Sequence, residues 1–149
     1  MYNVGSLFRT CDGFNVNLSI VGITPHPRLP NDTRLPHVAA KAHKSIAKTA
    51  LGAESSVTWQ YYATLEECIS HLRSKAYTIV AIEQADSAKN ISELEQSGDI
   101  AIIVGPEVTG IPKKHLALVD DIYEIPMLGT KESFNVSVSA GIAIYQLRK

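Results

Sequence analysis

Five short runs of strand-forming residues, Leu18–Ile23, Val57–Tyr62, Thr78–Glu83, Ile100–Val104 and Ile122–Pro126, alternate along the chain with helical patterns or long connections. A hairpin needs only about two to five residues between its strands, and the gaps here are far longer. Successive strands therefore run parallel with helices returning over the sheet, which predicts an α/β fold with a mainly parallel sheet flanked by helices. Ile100-Ala-Ile-Ile-Val104 is apolar throughout, the pattern of a strand covered on both faces.

The connecting segments carry helical periods. Between Asn3 and Gly13, Val4, Leu7, Phe8 and Cys11 share one face and leave Arg9 and Asp12 on another, with Asn3 at or near the N-cap. Val38 to Leu51 forms a second helix with Ala39, Ala42, Ile46, Ala47 and Ala50 inward, ended by Gly52. Thr64 to Arg73 is amphipathic, with Thr64 and Glu67 spaced as a capping box. Ser92 to Gln96 reads as a short turn or helix, and Pro112 suits the first position of another helix.

The last helix is unusual. Val136, Ala140, Ala143, Ile144 and Leu147 form one apolar row, and Val138, Ile142 and Tyr145 form a second, so burial on more than one side is expected. Gly141 sits among small residues and costs about 1 kcal/mol relative to Ala in a helix, which points to close packing. Ser133 or Asn135 can cap its first turn, so a polar loop feeds a helix N-terminus whose free N–H groups can bind a ligand's polar atoms.

The totals fit one domain over residues 1–149: 45% hydrophobic and 19% charged residues supply an adequate core. There is no internal repeat, no signal-like N-terminus and no window of about 20 apolar residues. A cytoplasmic protein without a membrane partner is expected. Cys11 and Cys68 read as reduced thiols, and the five histidines lack ligand spacing, so no metal is expected.

A net charge of -1 conceals a local excess. From Thr24 to Ala50, Arg28, Arg34, Lys41, Lys44 and Lys48 face a single acid, Asp32. The excess suits either a phosphate backbone or a plain solvated surface. Pro25, Pro27, Pro30 and Pro36 rule out regular structure over its first part.

After Val104 comes Gly105-Pro-Glu-Val-Thr-Gly110-Ile-Pro112, a turn at the carboxyl end of a strand where open α/β sheets bind ligands. Taken alone, a structural turn is its more economical reading.

In combination the motifs say more. Asn3-Val-Gly-Ser-Leu-Phe-Arg9-Thr, Ile103-Val-Gly-Pro-Glu107-Val-Thr-Gly110, and Ile125-Pro-Met-Leu-Gly129 followed by Ser133-Phe-Asn135-Val-Ser-Val-Ser occur in order. Together they resemble the three motifs of the SpoU/TrmH family, the SPOUT-class RNA ribose 2′-O-methyltransferases, over essentially the whole chain.

The resemblance implies a C-terminal deep trefoil knot, a homodimer and S-adenosyl-L-methionine (AdoMet) as methyl donor. It maps catalytic roles onto Arg9, Asn3, Glu107 and Asn135. It maps the donor pocket onto Val104, Gly105, Pro106, Glu107, Ile125, Met127, Leu128, Ser133, Phe134 and Asn135. Phe134 stands where the family usually has Leu. The strand that normally precedes the first motif is almost absent, so Asn3 and Arg9 are expected to be less rigidly held. RNA contacts would come from Arg28, Arg34, Lys41, Lys44, Lys48 and Lys131, with tRNA ahead of rRNA as substrate. The rival reading is a catalytically silent AdoMet-binding and RNA-binding protein of the same fold.

Overall fold

A computed structural model describes residues 1–149 and divides them into two compact units, Met1–Leu65 and Glu66–Lys149.

The first unit opens with α1 (Tyr2–Phe14), which buries Val4, Gly5, Phe8 and Cys11. Leu7, expected on that face, is only half-buried, and Gly5 takes the inward position. The N-cap is Met1, so Asn3 lies inside the first turn and does not cap it. α1 ends at Asn15, left-handed at φ 52°, a conformation that Asn tolerates better than most residues.

β1 (Leu18–Val21) pairs in parallel with β2 (Trp59–Tyr62), Leu18 opposite Trp59 and Val21 opposite Tyr62. β1 is shorter than its apolar run because Gly22 turns left-handed at φ 65°.

α2 (Pro36–Ala50) buries Ala39, Ala42, Ile46 and Ala50, as its period requires. It begins at Pro36, which therefore opens a helix instead of excluding one. At the first turn the ring's fixed φ suits the helix and its missing N–H would have had no partner. Leu51 and Gly52, both left-handed, end α2, and a short α3 (Ala53–Ser56) follows that no periodicity announced.

Val4, Phe8, Cys11, Ile20, Ile46, Ala50, Ala53 and Val57 make this unit's core, with Trp59 edge-on to Phe8 at 5.9 Å between ring centroids. Burial pushes the Cys11 thiol up to about 11, so it stays protonated and unreactive near neutral pH.

The second unit takes up α4 (Leu65–Ser74) from its second residue, then β3 (Thr78–Ile82), β4 (Lys89–Asn90), β5 (Ile100–Val104), α5 (Lys113–Leu116), β6 (Asp121–Glu124) and α6 (Val136–Arg148). Its sheet has the order β4-β6-β3-β5 and every pair is parallel. The chain therefore has the expected parallel pairing with flanking helices, but in two sheets, since β1 and β2 pair only with each other.

β3 is the buried central strand, with Ile79, Val80 and Ala81 inaccessible. β5, read from its composition as buried on both faces, is an edge strand paired with β3 alone and half-buried throughout. After β4, a 3-10 turn at Ile91–Glu93 carries a complete capping box between Asn90 and Glu93. Pro112 is the N-cap of α5, one position earlier than its sequence suggested.

α6 buries Ala140 and Ala143, and Ile142 and Leu147 pack partly on the core of Val80, Ile91, Leu94, Tyr123 and Ile125. Both apolar rows are thereby used in part, Leu147 from the first and Ile142 from the second. Val138 and Tyr145 remain 47% and 62% exposed.

Candidate active site

The carboxyl ends of β3 and β6 open onto a shallow cleft lined by Ile82, Glu83, Gln84, Ile125, Ser133, Phe134 and Ser139. Parallel strands leave loops free at this edge, which is why ligands gather there. The lining mixes apolar and polar surface, suited to a flat heterocycle with polar substituents.

Two loops border the cleft. The first, from Gly105 to Ile111, is folded back on itself by the Gly110 N–H donating to the Pro106 carbonyl at 2.9 Å. Gly110 has φ 64°, where a side chain is strained, and a Cβ there would lie 2.6 Å from Glu83 Oε2 and push that carboxylate aside. The second runs from Ile125 to Asn135.

Asn135 settles the capping question left open by the sequence: it is the N-cap of α6, and its Oδ1 accepts from the Ser137 N–H at 2.9 Å. Its Nδ2 donates to Glu107 Oε1 at 2.6 Å, and the Val136 N–H donates to the same oxygen at 3.3 Å. Glu107 thus places a negative charge at the N-terminus of a 13-residue helix, which the helix dipole favours.

Of the donor-pocket residues expected from the motifs, Ile125, Ser133 and Phe134 line the cleft. Glu107 and Asn135 are bonded to each other beside it. Val104 ends β5, Gly105 and Pro106 form the folded turn, and Leu128 is 97% exposed; with Met127, these do not line the cleft.

Ile82, Glu83, Gln84 and Ser139 line it without having been singled out. A carboxylate at the end of the otherwise apolar run Thr78–Glu83 was the available signal. The His, Cys, Asp and Glu side chains form no group of three or more able to hold a metal ion.

In the first unit, Arg9 is exposed on α1 and takes part in none of the ion pairs, while Asn3 is half-buried six residues before it. On α2, His37, Lys41, Lys44 and Lys48 are all exposed. Their spacing of four, three and four residues places them in one stripe, opposite Ala39, Ala42, Ile46 and Ala50, over roughly 16 Å of helix.

Arg34 differs from these cations. Its guanidinium donates to Asp32 at 2.6 and 2.8 Å and to the carbonyls of His26 and Pro27, both at 3.1 Å. It is spent on the proline-rich loop and corrects the simple count of free charge. Asp32 also accepts from the Leu29 N–H at 3.0 Å, and its side chain is 6% exposed.

Hydrogen bonding from Arg34 and Leu29 holds the Asp32 carboxyl well below the usual carboxylate range. A folded-state pKa below the unfolded one gives stability that is complete above about pH 4 and drains away as pH falls through it. Asp32→Asn should therefore lower the melting temperature at neutral pH and lessen the loss on acidification, read from melting curves between pH 7 and 2.

The sequence profile of the SpoU rRNA Methylase family matches residues 1–145. The tRNA (guanosine(18)-2′-O)-methyltransferase of Escherichia coli K12 is 28% identical over 148 residues, 99% of this chain and 58% of that protein. The chain thus spans little more than half the length of this relative. Among solved structures, the AdoMet-bound rRNA methyltransferase of Sinorhizobium meliloti superposes with a TM-score of 0.77 at 20% identity, over 99% of this chain and 51% of that one. A protein solved in work on 2-OH methylation of C/U34 on tRNA gives 0.72 at 21% identity, over 99% of this chain and 86% of that one. With all three motifs inside the matched residues, the chain belongs to the SpoU rRNA methylase family.

Proposed function

We propose that this chain is an AdoMet-dependent RNA methyltransferase that transfers a methyl group to a ribose 2′-hydroxyl, with tRNA ahead of rRNA as substrate. The observation that carries it is the Glu107–Asn135 hydrogen bond, which joins the second and third motifs beside a cleft at the carboxyl edge of the sheet. The tRNA preference rests on the Escherichia coli relative, whose name specifies guanosine 18 of tRNA. Because the family profile runs through both compact units without a break, residues 1–149 are read as one catalytic domain acting in the cytoplasm, where its RNA is.

The cleft fits the methyl donor chemically. Ile82, Ile125 and Phe134 offer flat apolar surface to an adenine, and Glu83, Gln84, Ser133 and Ser139 offer polar atoms to its sugar and amino-acid ends. The backbone of 104–107 and of 125–128 would complete it. When bound, AdoMet supplies an electrophilic methyl group.

This chain's residues then have three tasks. Glu107 and Asn135 hold the loops so that donor and hydroxyl meet in line, and positioning of this kind contributes roughly 7 to 11 kcal/mol. Arg9 orients the phosphate beside the target ribose and stabilises the oxygen as it loses its proton; Asn3 orients Arg9 or the ribose. A guanidinium with a pKa above about 12 is a donor and not a base, so the proton leaves to water or to the RNA phosphate. The exposed apolar residues Val138 and Tyr145 of α6 support a homodimer, and the C-terminal segment is read as knotted in the manner of its family.

RNA is held by the α2 stripe of Lys41, Lys44 and Lys48, with Arg28 and Lys131. Each lysine that neutralises a phosphate releases counterions, so binding weakens with salt. Reversing Lys41, Lys44 and Lys48 to Glu should weaken RNA binding and flatten the log K against log salt plot by about 2 units. An unchanged slope would move the RNA surface elsewhere.

Transfer of radiolabelled methyl to unmodified bulk tRNA, followed by nucleoside mass spectrometry, tests the reading. AdoMet binding without transfer, where a related enzyme is active, would favour the silent RNA-binding alternative.

A further inference from the structure

Glu83 and Gln84 continue the central strand β3 past its end, between the two loops that border the cleft. Each is bonded outward. The Glu83 N–H donates to the Tyr123 carbonyl of β6 at 3.0 Å, extending the ladder on that side. Its carboxylate reaches the other side, where Oε2 accepts from the Ile111 N–H at 2.7 Å and Oε1 from the Gln84 N–H at 2.9 Å. Gln84 in turn donates its Nε2 to the Ile125 carbonyl at 3.0 Å, at the start of the third-motif loop.

We propose that Glu83 and Gln84 are positioning residues for the methyl donor, a two-residue latch that fixes the second-motif turn and the third-motif loop at the spacing AdoMet requires. This rests on reading the cleft as the AdoMet site.

The chemistry of the two side chains is specific to the task. A carboxylate has about four acceptor positions and no donor, so Glu83 can take two N–H groups and still offer lone pairs to a ligand. A glutamine there has one acceptor oxygen and an NH₂ group, so whichever way it turns, the Ile111 or the Gln84 N–H loses its acceptor. Gln84 needs a donor, because its partner is a carbonyl. The glycine at 110 belongs to the same device: it brings the turn's backbone within reach of the carboxylate, and a Cβ would displace it. Both side chains also line the cleft, so a shift in either bond moves a wall of the site.

AdoMet affinity by calorimetry and steady-state kinetics on tRNA test the latch. Gln84 is exposed, so Gln84→Met removes one hydrogen bond while leaving the fold intact. Gln84→Met and Glu83→Gln should each weaken AdoMet binding, and raise its KM, by about tenfold, with kcat at saturating donor within about twofold of the wild type. Amide exchange at Ile111 should quicken in Glu83→Gln.

Wild-type affinity in both variants would overturn the latch. Wild-type protein that binds no AdoMet is a distinct result, one that overturns the AdoMet site itself and this role with it.

Discussion

Arg9→Ala should lower methyl transfer by about 10²- to 10³-fold or more while AdoMet affinity stays within about twofold of the wild type. The asymmetry follows from where Arg9 lies and what a guanidinium can do. Arg9 is exposed on α1, away from the buried Val4, Phe8 and Cys11, and alanine is at least as good a helix former, so the substitution leaves the fold unchanged. Its side chain lines no part of the donor cleft. What is lost is a planar fork of five donors, able to grip a phosphate and face the oxygen that becomes negative as it loses its proton. Arg9→Lys retains the charge but not the fork and should recover only part of the loss. Single-turnover transfer on tRNA, with donor affinity measured separately by calorimetry, separates the two quantities. Equal loss of transfer and affinity would show that Arg9 belongs to the donor site.

Much of the fold was legible because it depends on local period and composition. Ala39, Ala42, Ile46 and Ala50 face inward on α2 as their spacing requires, and the apolar runs pair in parallel. Where sequence and structure part, the causes are physical. Pro36 follows three loop prolines in the sequence, yet at the first position of a helix the same rigidity is an asset. Ile100–Val104 reads from its side chains as buried on both faces, but burial depends on which backbone it meets, and it pairs only with β3. Arg34 is not free charge, because Asp32, the single acid in that stretch and two residues away, holds it.

The site was legible only where motif order linked distant residues, as for Glu107 and Asn135. Glu83 and Gln84 were not, because their roles lie in bonds to Ile111 and Ile125, reached across 28 and 41 residues of sequence.

Gly5→Ala should destabilise the first unit strongly, against the ordinary expectation for a helix. At a free helical position replacing Gly by Ala gains up to about 1 kcal/mol. Gly13, in the same helix, is such a position, with nothing within 4 Å of an added Cβ. At Gly5 an added Cβ would overlap Thr49 Oγ1 and the Ile46 carbonyl and lie 2.9 Å from the Ala50 nitrogen. Two of those atoms are backbone of α2, so no side-chain rotation relieves the clash and the helices must separate. Separation would also break the bond from Thr49 Oγ1 to the Tyr2 carbonyl, 2.9 Å in the native packing, and open the core around Phe8 and Ile46, both 0% exposed. Overpacking of this kind costs about 1 to 3 kcal/mol and more when backbone must move. Melting curves of Gly5→Ala and Gly13→Ala should therefore shift in opposite directions, the first downward by several degrees. Equal stability of the two would mean that α1 does not rest on α2 through Gly5. The glycine of the first motif then has a mechanical reason: it seats the helix that carries Asn3 and Arg9 directly on the backbone of α2.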